Sequence, residues 1–153
     1  MRFGLLKYDY GIYKDRIPSN FGDEIQSIAA SYFLPQIDFF FDREATRNIS
    51  SHIVSKVIMN GWWMHDPKQW PPSDKIDPLF ISIHLANKKT LEVILSNDNI
   101  NYLLKHSPIG TRDLYTLKLL KEYNVPAYFS GCLTLTLPKN PYVEKKIIFY
   151  VSM

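Results

Sequence analysis

The apolar residues of this chain come in short unbroken runs, separated by polar segments with a helical repeat. That pairing leaves few folds open. LFISIHL (79–85) and KIIFYV (146–151) are too short for a typical helix. They are also too continuously apolar for a strand with one wet face. The opening run 2–7, IDFFF (37–41), SKVIM (55–59) and AYF (127–129) read as strands in the same way. Within 79–85, strict alternation puts Leu79, Ile81, Ile83 and Leu85 on one side, and Phe80, Ser82 and His84 on the other. Residues 133–137 read as a further extended stretch.

Between these runs lie three helical patterns. Residues 23–33 carry Ile25, Ile28, Ala29, Tyr32 and Phe33 on one face, with Asp23 and Gln26 at capping-box spacing and Pro35 beyond. Residues 90–104 read as two pieces broken at Asn97, Asp98 and Asn99. Residues 112–123 start after a Thr111 cap, with Asp113 at the positive end, Lys118 and Lys121 toward the negative end, and Asn124 as the stop. Alternating strands and helices with continuous apolar strands predict an α/β fold, a layered domain with a mostly parallel sheet. The boundaries this implies are one domain over 1–138, then a linker and the first strand of a possible second domain over 139–153.

Composition narrows the chemistry. The chain has 153 residues, 46% of them hydrophobic and 22% charged, which is a globular balance. Its apolar runs fall well short of the roughly 20 residues that span a bilayer, so no integral membrane segment is expected. The N-terminus lacks a signal-peptide core, and the expected location is cytoplasmic. The single Cys132 excludes an internal disulfide and a thiol cluster for zinc. A net charge of +3 with scattered lysines gives no nucleic-acid footprint. The chain has no G-x-x-x-x-G-K-[ST], G-x-S-x-G, H-E-x-x-H or G-x-G-x-x-G motif.

Four places at predicted strand ends carry polar groups, where open α/β sheets bind ligands. In SNFGDE, Asn20, Gly22 and Asp23 stand at a helix entrance that suits an anion or a hydroxyl; a plain cap is the competing reading. In MNGWWMH, Asn60-Gly61 reads as a turn that projects Trp62 and Trp63, either into the core or onto a sugar, with His65 facing solvent. In ISIHLAN, His84 reads as a proton donor or an anion partner, or equally as a structural histidine. In SPIGTRDL, Gly110 and Thr111 present Arg112 as a fork for carboxylate or phosphate, or Arg112 pairs locally with Asp113.

The order SNFGDEIQSIAA, VIMNGWW, LFISIHLAN and PIGTRDLYTLKLLKEYNVPAYFSGCLTLTLP resembles the polysaccharide pyruvyl transferase family over nearly the whole chain. The resemblance implies transfer of the enolpyruvyl group of phosphoenolpyruvate to a sugar or polysaccharide precursor, leaving a pyruvate ketal on two hydroxyls. It implies a Rossmann-like domain similar to the N-terminal half of a GT-B-type two-domain transferase. It implies no nicotinamide, flavin or metal cofactor. Asp23 and His84 then stand as catalytic candidates. Asn20, Gly22, Asn60, Gly61, Trp62, Gly110, Arg112 and Asp113 stand as candidates lining the substrate rim. Members have two domains of roughly 150 residues each, so the donor-binding arginine and histidine are expected mainly in a second half. The uncovered interdomain face would favour self-association. A nucleotide-sugar glycosyltransferase and a non-catalytic α/β module that binds a glycan or a partner are the alternative readings.

Overall fold

The computed structural model describes residues 1–9, 15 and 20–139. Strand candidate 146–151 and the 139–153 boundary segment lie outside the described residues, apart from Lys139. Six strands, β1 (Arg2–Lys7), β2 (Phe39–Asp42), β3 (Ser55–Trp63), β4 (Ile76–Leu85), β5 (Ile109–Thr111) and β6 (Ala127–Phe129), form one sheet in the order β2-β1-β3-β4-β5-β6. Every neighbouring pair is parallel. This is a Rossmann-like layered α/β fold, as the continuous apolar strands predict. The order reverses between β1 and β3, so the topological switch point lies at their carboxyl ends.

Both sheet faces are packed, unequally. On one face α2 (Lys88–Ile94), α3 (Ile100–Lys105) and α4 (Leu114–Glu122) supply Ile94, Leu103 and Leu120 to a core with Leu6, Val57, Met59, Phe80 and Ile83. Trp63 and Trp70 are buried there too, ring centroids 6.3 Å apart and edge to face. The other face has α1 (Phe21–Ser31), whose small Ala29 and Ala30 let it sit close on Leu5 and Ile58, and a 3-10 turn, Leu133–Thr136, with Leu133 inward. Phe33 and Leu79 on that side stay more than half exposed.

Several local expectations give way to tertiary pairing. The cap of α1 is Asn20, whose side chain accepts from the Gly22 N–H at 2.9 Å, so Asp23 sits one turn inside and the helix ends at Ser31, four residues before Pro35. Asn60-Gly61 is no turn: β3 runs straight through it, with both residues buried and Gly61 at φ +81°. Thr111 belongs to β5, and the cap of α4 is Asp113, which accepts from the Thr116 N–H at 2.8 Å. Residues 133–136 form a 3-10 turn instead of an extended stretch.

The alternation read in 79–85 also breaks. Met59 pairs with Phe80 and Gly61 with Ile83, so Asn60 alone faces both Ile81 and Ser82. That is a β-bulge, with Ser82 at φ +56°. The extra residue moves Ile83 and Leu85 onto the face of Phe80. His84 therefore shares the face of Ile81, not that of Phe80. The amide freed at Ser82 donates to Ser130 Oγ at 3.0 Å.

Candidate functional site

The carboxyl ends of β1, β3 and β4 bring two clusters side by side. The first centres on Arg43, a residue that no sequence pattern singles out. It follows β2 in a 3-10 turn, Arg43–Ala45, and is 1% exposed. Its Nε donates to Glu44 Oε1 at 2.9 Å, and its Nη1 donates to the Trp62 carbonyl at 3.1 Å and lies 3.2 Å from Asp23 Oδ1. The guanidinium also lies over the rings of Tyr8 (4.8 Å) and Trp62 (5.2 Å). Glu44 is satisfied in turn by the backbone N–H groups of His65 and Asp66. Asp23 is thus a buried ion-pair partner and its helix needs no cap from it. His65 is half-buried with its ring edge-on to Trp62 at 4.5 Å, contrary to the solvent-facing expectation, and burial lowers its pKa.

The second cluster lies one strand over, since Trp62 and His84 are register neighbours in β3 and β4. His84 Nδ1 is 2.7 Å from Asp113 Oδ2. The Thr116 hydroxyl donates to the same oxygen at 3.0 Å and accepts from the Leu85 N–H at 3.1 Å. Burial works to raise the Asp113 carboxyl, but the Thr116 amide, the His84 ring and the Thr116 hydroxyl outweigh it and hold the group below its ordinary value. Arg112 is tied down by its backbone, which donates to the Ile83 carbonyl at 3.0 Å. Its guanidinium makes no ion pair or side-chain hydrogen bond among the described residues, so the local pairing with Asp113 is not made: Asp113 is taken by His84.

Between the two lies a buried seam. Asn60, fully buried, donates to the Gln26 carbonyl at 3.0 Å, and Gln26 Nε2 reaches Cys132 Sγ at 3.5 Å. Burial tends to raise the Cys132 thiol, yet hydrogen bonds from Thr134 and Gln26 and the Arg112 charge bring it below its ordinary value. Gly110 is buried under Tyr128, whose hydroxyl would sit 3.0 Å from any added Cβ. Of the rim candidates, then, Asn20, Gly22, Trp62, Arg112 and Asp113 keep access to solvent, as does His84, while Asn60, Gly61 and Gly110 are packing positions.

The arrangement offers a carboxylate-held imidazole, a guanidinium without an ion pair among the described residues and a half-buried indole along the carboxyl ends of β3, β4 and β5. That set can hold an anion, stack on a ring and move a proton. No cluster of three or more His, Cys, Asp or Glu that could hold a metal ion occurs among the described residues, and among them no helix is long and apolar enough to cross a membrane. Neither a family model, nor a curated protein, nor a solved structure matches the chain.

Proposed function

We propose that this chain is a polysaccharide pyruvyl transferase-like domain, which acts on phosphoenolpyruvate and a sugar acceptor in the cytoplasm and forms a pyruvate ketal. The observation that carries the reading is the Arg112–Asp113 bend after β5, beside His84: one short segment supplies a guanidinium with no ion pair among the described residues and the carboxylate that holds an imidazole. Phosphoenolpyruvate carries a carboxylate and a phosphate, and a guanidinium fork matches either. Ketal formation needs protons moved: of the two hydroxyl protons, one ends on the methylene carbon, making it methyl, and the other on the departing phosphate. A histidine suits that work near neutral pH. Trp62, half-buried and next to His84, is the ring we assign to stacking on the acceptor sugar. The order of motifs along the chain supports the same reading.

The test is phosphate release from phosphoenolpyruvate in the presence of hexosides with free vicinal or 4,6-diols, with mass spectrometry of the sugar. Acceptor-dependent phosphate and a ketal mass gain are expected, together with protection against thermal unfolding by phosphoenolpyruvate. The absence of both release and protection would count against the reading. Protection by a nucleotide sugar alone would transfer the site to a glycosyltransferase.

A further inference from the structure

We propose that His84 and Asp113 form a proton-transfer pair whose working nitrogen is Nε2, with Thr116 as the residue that positions the carboxylate. The substrate group it would serve is a sugar hydroxyl, and that part rests on the function proposed above. The direction of each hydrogen bond follows from a single fixed point. The Leu85 amide can only donate, and it donates to Thr116 Oγ1 at 3.1 Å. The one hydroxyl hydrogen of Thr116 is then aimed at Asp113 Oδ2, 3.0 Å away. An ionised carboxylate only accepts. The 2.7 Å contact from Oδ2 to His84 Nδ1 therefore requires the hydrogen on Nδ1. Neutral His84 carries its lone pair on Nε2.

That nitrogen is the available one. The His84 side chain is 25% exposed, and Nε2 makes no hydrogen bond among the described residues. A purely structural account explains less. Capping α4 takes only Asp113 Oδ1, which accepts the Thr116 N–H at 2.8 Å. The second oxygen is free to face His84, and Thr116, fully buried and tied to the end of β4, fixes its angle. The carboxylate in this position both sets the tautomer and stabilises the imidazolium once the proton arrives.

In the reaction the C2=C3 π bond of the enolpyruvyl group opens to take a proton from solvent at C3, making the methyl, as the acceptor hydroxyl oxygen bonds to C2 and its own proton passes to Nε2. The imidazolium then returns that proton to the phosphate oxygen as the C2–O bond to phosphate breaks. The second hydroxyl closes the ketal, and its proton is the one that balances the new methyl group.

The test is the tautomer of His84, read by long-range proton–nitrogen correlation on the ¹⁵N-labelled full chain. The four histidines are assigned with the help of His84→Gln. Wild type should show a protonated Nδ1 and a bare Nε2. Asp113→Asn, which caps about as well, should move the hydrogen to Nε2. Turnover should then fall by about 10²–10⁴-fold. Thr116→Ser should keep the wild-type signature and Thr116→Val should give a mixture of tautomers. A wild-type ring protonated on Nε2 overturns the pair, as does an unchanged signature in Asp113→Asn. An unchanged signature in Thr116→Val removes Thr116 from its positioning role. The expected tautomer without any phosphate release would leave the pair standing and fail the pyruvyl transfer reading alone.

Discussion

Replacing Arg43 by Met should be among the most damaging single changes in this domain. Arg43 is 1% exposed, and the Glu44 side chain it pairs with at 2.9 Å is equally buried. The substitution keeps an apolar stem of similar bulk and removes the guanidinium. It strands the Glu44 carboxylate in the interior with, among the described residues, only the His65 and Asp66 amides as partners. It also removes the Asp23 ion pair, the bond to the Trp62 carbonyl and the ring contacts with Tyr8 and Trp62. Breaking a buried pair from one side costs about 3–5 kcal/mol. Against a total of roughly 5–15 kcal/mol that is a large share. It corresponds to a fall in melting temperature of roughly 6–20 °C for a chain of this size. The assay is urea unfolding followed by tryptophan fluorescence, run as a double-mutant cycle with Glu44→Gln. Neutralising Glu44 in the Met background should recover about 1–3 kcal/mol, because the stranded charge is gone. A loss below about 1 kcal/mol in Arg43→Met is what an exposed surface pair would give. It would refute the reading of Arg43 and Glu44 as a buried pair on which the fold depends.

Further expectations rest on single contacts. Asn20→Ala should cost about 1 kcal/mol in urea unfolding, because Asn20 and not Asp23 caps α1. Gly61→Ala should cost about 1–3 kcal/mol, because Gly61 has φ +81° and its new Cβ would meet Gln26 Cγ at 3.2 Å; a neutral result would contradict the positive-φ path of β3 opposite the β4 bulge. Arg112→Ala should change the melting temperature little, since the guanidinium has no partner to lose among the described residues, but should abolish protection by phosphoenolpyruvate. A collapse in stability would make Arg112 structural. Asp38 accepts from the Phe3 amide, Arg2 and Gln36, and its pKa is lowered from 3.8 to about 2. Its contribution is present above pH 3.8 and is lost as pH falls through about 2. The gap in urea midpoint between wild type and Asp38→Asn should therefore close across that window, and a constant gap would contradict the assignment.

The sheet was legible because its signal is hydrophobic and local. Runs 2–7 and 55–59 hold consecutive apolar residues, Leu5-Leu6 and Val57-Ile58-Met59, and such unbroken stretches suit a strand covered on both faces. Elements with one apolar residue or none facing the core left no such trace. β5 is Ile-Gly-Thr, and it exists as a strand because β4 and β6 pair with it on either side. Thr111 therefore looked like a cap. The misread cap of α1 has a related cause. Asp23 and Gln26 have capping-box spacing, yet both side chains are spent on tertiary partners, Arg43 and the Asn60–Cys132 seam. Arg43 itself lies in a segment with no periodicity, and nothing in its neighbours announces that a buried arginine is being assembled.

The site was half legible for a sharper reason, which is that one residue decides which way it faces. Strict alternation placed His84 with Phe80, on the side that α2, α3 and α4 bury. On that side an imidazole would be a core group. The bulge at Ser82 inserts one residue opposite Asn60 and reverses the parity of everything after it in β4. His84 then turns toward Asp113, whose own place is fixed by capping α4. The sequence mark of this event is the Asn60-Gly61 pair on the neighbouring strand. There a glycine at positive φ and a buried amide accommodate the irregularity, and the same dipeptide is more familiar as a turn. The residue types for an imidazole–carboxylate pair are thus written 29 positions apart in the chain, but the pairing itself is carried by a backbone irregularity that no side-chain pattern encodes.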